Sequence, residues 1–324
     1  PPLDLYDVGF VGVAGASGGG ASRSTASDNA LLCGGTPYPA AVATSQYWNG
    51  STWDNTVTAM PSARAFGGGG GNYDDYIYAA GDTVGSSGEN ASEDTFEWNG
   101  SAWASATPYP QTGNEYITAS FGGNTSEAFI HSGRDAYSSA PFYKTYSNKW
   151  NGTAWGSDAG LSSTYGGQAN AGGGLPDDFI ATAGYGFNGT GTAHNTYKTE
   201  SFNGIAWTGE DDFPNDAADS ATAYAYGCFS AGGKESFLAF ANSDSLTNCA
   251  FTYDGDSWTS AGTLADPVKY SASNGDTTSA IIAGGADNGW DVASSQLYNG
   301  DQTFTSKADL GSGLTAGAMG ANTV

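Results

Sequence analysis

Pairs of aromatic residues separated by a short polar stretch with Asn-Gly or Asp-Gly recur along this chain at nearly constant spacing. The clearest copy is 48–53, Trp-Asn-Gly-Ser-Thr-Trp, and looser copies continue to 298–304. The second aromatic of the six copies is Trp53, Trp103, Trp155, Trp207, Trp258 and Phe304. The steps between them are 50, 52, 52, 51 and 46 residues, and a fixed period of this length is typical of a repeat architecture.

Each copy predicts a β-hairpin. Asn-Gly or Asp-Gly between two strands favours a type I′ turn, because both central residues of that turn have positive φ, which Asn, Asp and Gly tolerate. The aromatic residues on either side then lie opposite or diagonal to each other on neighbouring strands. We interpret them as the structural core of each repeat, with a row of sugar-binding Trp side chains as the alternative.

Two further segments of each repeat have the character of β-strands. One is rich in Gly and Ala, as in 63–70, and the other is an apolar run, as in 76–81. Together with the hairpin they make four antiparallel strands per repeat, and four-stranded sheets repeated radially are the blades of a β-propeller. The innermost strands of a propeller crowd around its central axis, so the Gly/Ala-rich strand is predicted to be the innermost one. We therefore predict an all-β, six-bladed propeller with four-stranded antiparallel blades, occupying 1–324 as a single domain.

Both ends of the chain have the character of the Gly/Ala-rich innermost strand, at residues 8–15 and at residues 313–322. One of these segments is surplus to six complete blades. Either segment would close the ring by completing the first blade, and the other would then be a linker or the start of a further unit. A seven-bladed ring with one divergent blade is the alternative.

The chain is strongly acidic, with 33 Asp and Glu residues, 9 Lys and Arg residues and a net charge of −24. The negative electrostatic field of a protein with this charge repels phosphate backbones, so we expect no nucleic-acid partner. No apolar run reaches the roughly 18 residues that predict a membrane span, so we expect no membrane insertion. Cys33, Cys228 and Cys249 are too few for a disulfide framework, and we expect free, mostly buried thiols.

No catalytic constellation stands out in the sequence, and we expect the protein not to be an enzyme. Two histidines, His131 and His194, are too few for a copper site. A sialidase needs a cluster of arginines that binds a carboxylate, but the three arginines, Arg23, Arg64 and Arg134, occupy different places in their repeats. No nucleophile elbow, phosphate-binding loop or zinc-protease motif is present. A carbohydrate-active enzyme, which needs only two carboxylates, is retained as an alternative.

No cofactor is expected, and Ca²⁺ is the one ion for which the sequence offers candidate ligands. Ca²⁺ takes several oxygen ligands, and acidic pairs occur in or beside several turns and connections. The candidates are Asp74, Asp75, Asp177, Asp178, Asp211 and Asp212. Their spacing does not follow an EF-hand, and solvated turn residues also explain carboxylates at such places.

The blade order predicts two faces with different connections. We label the strands of a blade a to d from the axis outwards, and we call the face with the a–b turns and c–d hairpins the turn face. The opposite, long-loop face has longer connections with aromatic residues, which suit glycan stacking or protein contact; capping of the blade cores is their alternative role. The candidate binding residues are Tyr109, Tyr137, Phe142, Tyr185, Phe187, Phe213 and Trp290.

Several motifs resemble the kelch repeat. These are the double glycines at 34–35 and 284–285, the later Trp, and 60–64, Met-Pro-Ser-Ala-Arg. The resemblance covers nearly the whole chain, although four of the six b strands lack the double glycine. The repeated aromatic-Asn-Gly-Ser/Thr-x-Trp motif in a Lys-poor chain rich in Gly, Ser, Thr and Ala is more similar to kelch-like proteins encoded by bacteriophages, especially marine ones.

The phage resemblance implies a non-catalytic structural or host-recognition protein on the virion surface, such as a decoration, fibre or tail-associated protein. It implies other virion proteins, or a host-surface glycan or protein, as partners, and an oligomeric state set by the assembly. A secreted or cell-surface adhesin that binds glycans is the alternative.

Overall fold

The computed structural model describes residues 29–36, 40–83, 92–110, 115–116, 120–135, 143–158, 166–168, 171–183, 185–188, 192–195, 197–214, 230–240, 249–268, 271–287, 290–311, 313 and 318–319. Regular structure within these residues is β-sheet apart from one short 3-10 helix, Lys234–Ser236. The strands form six main sheets whose neighbouring strands are antiparallel, as predicted for the blades.

The first three blades follow the chain in order. Blade I contains β1 (Ala30–Cys33), β2 (Ser45–Trp48) and β3 (Trp53–Asp54). Blade II contains β4 (Gly68–Asn72), β5 (Asp75–Ala79), β6 (Thr95–Trp98) and β7 (Trp103–Ser105). Blade III contains β8 (Glu115–Tyr116), β9 (Ser120–Gly123), β10 (Ala128–Asp135), β11 (Tyr143–Trp150) and β12 (Trp155–Asp158).

The remaining blades continue the same pattern, with added strands in blades IV and VI. Blade IV and its connections contain β13 (Gly166–Gln168), β14 (Ala171–Leu175), β15 (Asp178–Thr182), β16 (Tyr185–Asn188), β17 (Thr192–Asn195), β18 (Thr199–Phe202) and β19 (Trp207–Gly209). Blade V contains β20 (Ser230–Ala231), β21 (Phe237–Phe240), β22 (Cys249–Tyr253) and β23 (Trp258–Thr263). Blade VI contains β24 (Ala272–Gly275), β25 (Ala280–Ala283), β26 (Ala286–Asp287), β27 (Trp290–Asp291), β28 (Ser295–Tyr298) and β29 (Phe304–Lys307), and β30 (Ala318–Met319) follows.

The innermost strands contact one another in a closed cycle. The order around the axis is β30, β4, β9, β14, β20, β24 and again β30, so the propeller has six blades rather than seven. β30 supplies the innermost strand of blade I, where Met319 pairs with Leu32 and Ala318 with Cys33. Residues 8–15, the second candidate for this position, lie outside the described residues.

The aromatic pairs of the six hairpins lie directly opposite each other, as the sequence predicts. Trp48 pairs with Trp53 in blade I, and Tyr298 pairs with Phe304 in blade VI. Across the six hairpins the ring centroids are 4.9 to 5.4 Å apart. Contacts of this kind contribute about 0.5–1.5 kcal/mol each beyond simple burial. The repeated aromatic pair is therefore part of the core of every blade.

The type of hairpin turn was predicted wrongly. Four residues connect the paired aromatics in blade I, and only Gly50 among them has positive φ, at 90°. Asn49 acts through its side chain instead, because its Oδ1 accepts the backbone N–H groups of Ser51 and Thr52, both at 3.0 Å. Asn is thus used as a side-chain cap of the turn, and it does not need the positive φ of a type I′ turn.

Glycine allows the innermost strands to approach each other at the axis. A Cβ atom on Gly122 of blade III would overlap the backbone of Gly174 in blade IV. Each innermost strand of blades II to VI has, in its last two positions or directly after it, a glycine with φ between +91° and +130°, a backbone conformation that L side chains rarely adopt. These glycines are Gly71, Gly123, Gly174, Gly232 and Gly275.

Hydrophobic clusters fill the space between neighbouring sheets. Leu31 and Cys33 of blade I, for example, are fully buried against Tyr76 and Tyr78 of blade II. Cys33 is a free, fully buried thiol, as predicted, and its burial raises the pKa of the thiol. Each blade therefore shares its core with the next one.

The outer aromatic of a hairpin also ties its blade to the preceding one. Trp155 Nε1 of blade III donates a hydrogen bond to Thr95 Oγ1 of blade II at 3.0 Å. Trp53 Nε1 of blade I donates to Ser295 Oγ of blade VI at 3.2 Å. The second bond spans the point where the ring closes, so the ends of the repeat array are joined by side chains as well as by β30.

A second set of hydrogen bonds joins neighbouring blades on the turn face. The Tyr73 amide of blade II donates to Asn29 Oδ1 of blade I at 3.1 Å. One blade further on, the Thr125 amide donates to Asp75 Oδ1 at 3.1 Å. These residues occupy corresponding places in the a–b turns, so the contact is a feature of the repeat.

Replacing Gly71 with Ala is expected to destabilise the propeller strongly. The new Cβ would overlap the Asp75 carbonyl oxygen, and Ala would have to adopt a φ of +107°. We expect a loss of at least about 2 kcal/mol in the free energy of unfolding, measured by urea denaturation. Gly209→Ala is the control, because no atom lies within 4 Å of its Cβ position. Equal unfolding midpoints for the two variants would contradict the conformational constraint inferred at Gly71.

Candidate functional site

The long-loop face of blade III is extended beyond the four-stranded sheet. β10 and β11 each have eight residues, whereas β5 and β6 of blade II have five and four. At the far end of this hairpin, β8 pairs with β10 through Tyr116 opposite Arg134 and Glu115 opposite Asp135. The hairpin register shifts between His131 and Gly133, at the point where the extension begins.

The b–c connection of blade IV forms further structure beside this extension. β16 and β17 pair with each other, and β13 pairs with the other side of β16, which gives a three-stranded sheet. β13 contacts both β10 and β11 of blade III. We call the extended β10–β11 hairpin, β8 and this three-stranded sheet the III–IV platform. Blade VI has a smaller addition in its b–c connection, the paired strands β26 and β27.

Three of the aromatic candidates lie on these added strands. Tyr185 of β16 pairs with Gln168 and Asn195, and Phe187 of the same strand pairs with Gly166 and Ala193. Trp290 of β27 pairs with Asp287. Tyr137 and Phe142 lie outside the described residues. Tyr185 and Phe187 are thus placed together in the III–IV platform, and Trp290 is placed in blade VI.

Tyr109 was wrongly predicted to be a binding residue. Its side chain is only 2% exposed, and its hydroxyl donates a hydrogen bond to Asn148 Oδ1 at 2.8 Å. The ring packs edge-on against Trp155 with centroids 5.3 Å apart. Tyr109 therefore links the connection after blade II to the core of blade III, and it is not available to a ligand.

Phe213 was also wrongly predicted to be a binding residue, because its side chain is buried as well. It is 4% exposed and packs edge-on against Phe251 and Trp258 of blade V. Its amide donates to the Tyr197 carbonyl at 2.7 Å. The alternative role, capping of a blade core, is the one that the structure gives to both residues.

A periodic signal in the sequence identifies these buried positions. A large apolar residue lies six or seven residues after the final aromatic of five repeats, and each is buried. The set is Met60, Tyr109, Phe213, Leu264 and Leu310. Because they recur at a fixed place in the repeat, they belong to the scaffold, whereas Tyr185, Phe187 and Trp290 have no such counterparts.

The acidic Ca²⁺ candidates are distributed over separate places. Asp74 and Asp75 lie in the a–b turn of blade II, where Asp75 accepts hydrogen bonds from the amide and hydroxyl of Thr125. Asp212 pairs with Lys198 at 2.7 Å in an exposed salt bridge. Over the residues that the structure describes, no three or more His, Cys, Asp or Glu side chains come together in a group able to hold a metal ion.

A half-buried polar network between blades IV and V was not predicted from the sequence. Lys234, in the 3-10 helix of blade V, forms a salt bridge with Glu210 of blade IV and donates to Ser201 Oγ at 3.2 Å. Tyr253 donates its hydroxyl to Glu210 Oε2 at 3.1 Å. The polar groups of the four side chains are hydrogen-bonded to one another across the blade boundary, so the network stabilises the contact between the two blades.

The electrostatics of this network depend on Glu210. Burial raises the pKa of Glu210, but hydrogen bonds from Lys234 and Ser201 outweigh burial, so that the pKa falls below its ordinary value of 4.5. In turn, burial and the neighbouring Glu210 carboxylate raise the pKa of Tyr253. At neutral pH the network is therefore an ion pair supported by two hydroxyl groups.

His131 is buried within the blade core. It is 0% exposed, its Nδ1 lies 3.1 Å from Ser147 Oγ, and its ring packs against Trp207 at 4.7 Å. Burial lowers the pKa of His131 to about 3, so the imidazole is neutral at physiological pH. The residue is part of the packing between blades III and IV.

The fold and the added strands define this protein as a six-bladed β-propeller with an elaborated long-loop face. No known protein-family model matches the chain, and a search of curated proteins gives no significant match. Among the described residues there is no helix of the length and apolarity that crossing a membrane requires.

The Glu210 network makes the stability of the propeller depend on pH. Because the pKa of Glu210 is lower in the folded state than in the unfolded state, its ionised form stabilises the fold above the unfolded-state pKa. This contribution is lost as the pH falls through the lower, folded-state pKa. We expect Glu210→Gln to lower the melting temperature at neutral pH and to have little effect well below about pH 4.

Asp212→Asn is the matched control for this experiment. It removes a carboxylate from the exposed Lys198 pair, whose two side chains are 48% and 52% exposed, and exposed pairs contribute little. The melting temperatures of both variants and of the unchanged chain are measured over the same pH range and compared. A Glu210→Gln effect that stays constant at all pH values would show that the lost ionisation is not its cause.

Proposed function

We propose that this protein is a non-catalytic interaction module that binds its partner through the long-loop face, centred on the III–IV platform. The observation that carries the proposal is the contact of β13 with β10 and β11. The six-bladed ring is complete without β8, β13, β16 and β17, so these strands serve the surface and not the closure of the propeller. Functional residues are often placed on such additions to a rigid scaffold.

The crowding at the axis supports a role without catalysis. An enzyme with its site at the mouth of the axial channel needs several polar side chains on the innermost strands. In blades II and III those places are taken by Gly70 and Gly122, where a Cβ would overlap the backbone of the next blade. The space for polar groups is therefore small in this part of the ring.

We further propose that the module belongs to a virion surface, as a decoration, fibre or tail-associated protein. The support is the similarity of the repeated aromatic-Asn-Gly motif to phage-encoded kelch-like proteins. The net charge of −24 disfavours a nucleic-acid partner, which agrees with a surface position. The partner is then another virion protein or a component of the host surface.

A glycan-binding adhesin is the second candidate, and the position of Tyr185, Phe187 and Trp290 on added strands favours it. Aromatic rings are large, rigid contact surfaces that suit glycans as well as proteins. The two candidates share the same face of the propeller. They differ in the partner that occupies it, which is a protein in fixed stoichiometry in one case and a sugar in the other.

Replacing Phe187 and Trp290 with Ala is expected to weaken partner binding and to leave the melting temperature unchanged. Loss of one aromatic anchor typically reduces affinity by about 1–2 kcal/mol or more. Binding is measured to purified particles from the native source and to arrayed glycans. Phe213→Ala is the control, because it removes a buried ring and should lower the melting temperature. Unfolding of the Phe187 and Trp290 variants without a specific binding defect would contradict the proposed surface.

Sedimentation of native material tests the virion assignment directly. We expect the chain to pellet with assembled particles, and quantitative mass spectrometry of the pellet to give a fixed ratio to the major particle protein. A chain that stays in the supernatant or fractionates with cells would overturn the virion assignment. The adhesin would then be the hypothesis to test on the glycan array.

A further inference from the structure

The exposed Asn-Gly turns of the hairpins differ in how they hold the Asn side chain. In blades I to IV the Asn Oδ1 atom accepts the backbone N–H groups two and three residues further on, at distances of 2.9 to 3.1 Å. The Asn residues concerned are Asn49, Asn99, Asn151 and Asn203. All four are exposed, and all four precede a glycine. Asn49 also donates through Nδ2 to Thr52 Oγ1 at 3.3 Å, a contact in which the hydroxyl can donate to a carboxylate instead.

The corresponding turn of blade V has an Asp in place of the Asn. Asp254 Oδ1 accepts the amides of Asp256 and Ser257 at 3.1 and 2.9 Å, which are the bonds that Asn makes in the first four blades. Backbone hydrogen bonds from Ser257 and Asp256 lower the pKa of Asp254. The turn therefore accepts a charged oxygen at this position, and a charged acceptor strengthens such bonds.

Blade VI holds its Asn in the opposite sense. Asn299 donates through Nδ2 to the Thr303 carbonyl at 3.3 Å and to the hydroxyls of Thr303 and Thr305 at 3.0 and 2.9 Å. The capping role passes to Asp301, whose Oδ1 accepts the amide of Thr303 at 3.2 Å and also its hydroxyl. This hairpin needs an amide donor at 299 and already has a carboxylate two residues away.

From these contacts we infer that Asn49, Asn99, Asn151 and Asn203 are modification sites at which deamidation to Asp preserves the propeller, and that Asn299 is a site at which it does not. The reaction needs no enzyme or oxidant. The backbone nitrogen of the following Gly attacks the Asn Cγ, its proton and the side-chain nitrogen leave as ammonia, and a cyclic imide forms. Water then opens the imide to Asp, or to isoaspartate, which lengthens the backbone by one carbon atom.

The hydrogen bonds decide the outcome at each site. An Asp at 99 keeps both amide bonds, because only the oxygen of the Asn side chain takes part in them. An Asp at 299 would place a carboxylate oxygen against the Thr303 carbonyl, which cannot donate, and near Asp301. The Thr303 hydroxyl cannot compensate, because it already donates to Asp301. The Thr305 hydroxyl could donate one bond to the new carboxylate, which would replace one of the three contacts that Asn299 makes. The isoaspartate form should disrupt any of these turns.

Three single variants of the full chain test the inference by thermal unfolding. Asn99→Asp should melt at the same temperature as the unchanged chain or higher, whereas Asn99→Ala, which lacks the acceptor, should melt lower. Asn299→Asp should melt lower by about 2–4 °C or more. If Asn99→Asp destabilises as much as Asn99→Ala, or if Asn299→Asp leaves the melting temperature unchanged, the inference is wrong.

Ageing of the unchanged chain gives an independent readout. After incubation at mildly alkaline pH, the folded protein is separated from the aggregated protein, and Asp at each site is measured by peptide mass spectrometry with an isoaspartate-specific assay. We expect Asp at 49, 99, 151 and 203 to remain in the folded fraction, and Asp at 299 to be depleted from it. If Asp at all five sites is divided equally between the two fractions, the inferred difference between Asn299 and the other four Asn residues is wrong.

Discussion

The close approach of the six innermost strands at the axis is the constraint on which the rest of the structure depends. A Cβ atom on Gly122 would overlap the backbone of Gly174 in the next blade, and one on Gly70 would overlap the Gly123 carbonyl oxygen. Sheets can converge in this way only if the first strand of each repeat has very small residues where it meets its neighbours, and the outer strands can then diverge and accept large ones. The gradient from Gly and Ala near the axis to paired aromatic rings outside follows from this geometry.

The blades depend on one another because their stabilising contacts cross the boundaries. Trp155 lies in blade III but donates its hydrogen bond to blade II, and Glu210 of blade IV is neutralised by Lys234 of blade V. A single repeat would leave such partners unsatisfied and its apolar faces in water. Closure through β30 removes the two ends that an open array would have, and Trp53 adds a side-chain bond at the same boundary.

The fold was predictable because the same hairpin recurs six times in the sequence, whereas the errors concern the roles of individual side chains. The period and the paired aromatics were sufficient for a six-bladed propeller. The role of Asn49 was misjudged because Asn-Gly suits several turn types, and the choice depends on whether the side chain or the backbone of Asn is used. Tyr109 and Phe213 were assigned to a binding face because they lie in connections, although their fixed distance from the final aromatic marks them as core. The Glu210 network was missed because Lys234 has no counterpart in the other repeats.

Acidic residues occur on both faces of the propeller, so charge alone does not distinguish the long-loop face from the turn face. Within the described turns, acidic residues recur around the turn face, and Lys234 is the one cationic residue, already paired with Glu210. The acidic turn residues are Asp74, Asp75, Glu127, Asp177, Asp178, Glu235, Asp254, Asp256, Asp276 and Asp301. On the long-loop face, Arg134 and Lys144 of the III–IV platform are accompanied by Glu115 and Asp135 on the same paired strands. Other described connections of this face are acidic as well, with Glu93, Asp94, Asp211 and Asp212. The added strands, and not charge, therefore distinguish the long-loop face. Deamidation at the hairpins would add negative charge only to the turn face and would leave those strands unchanged.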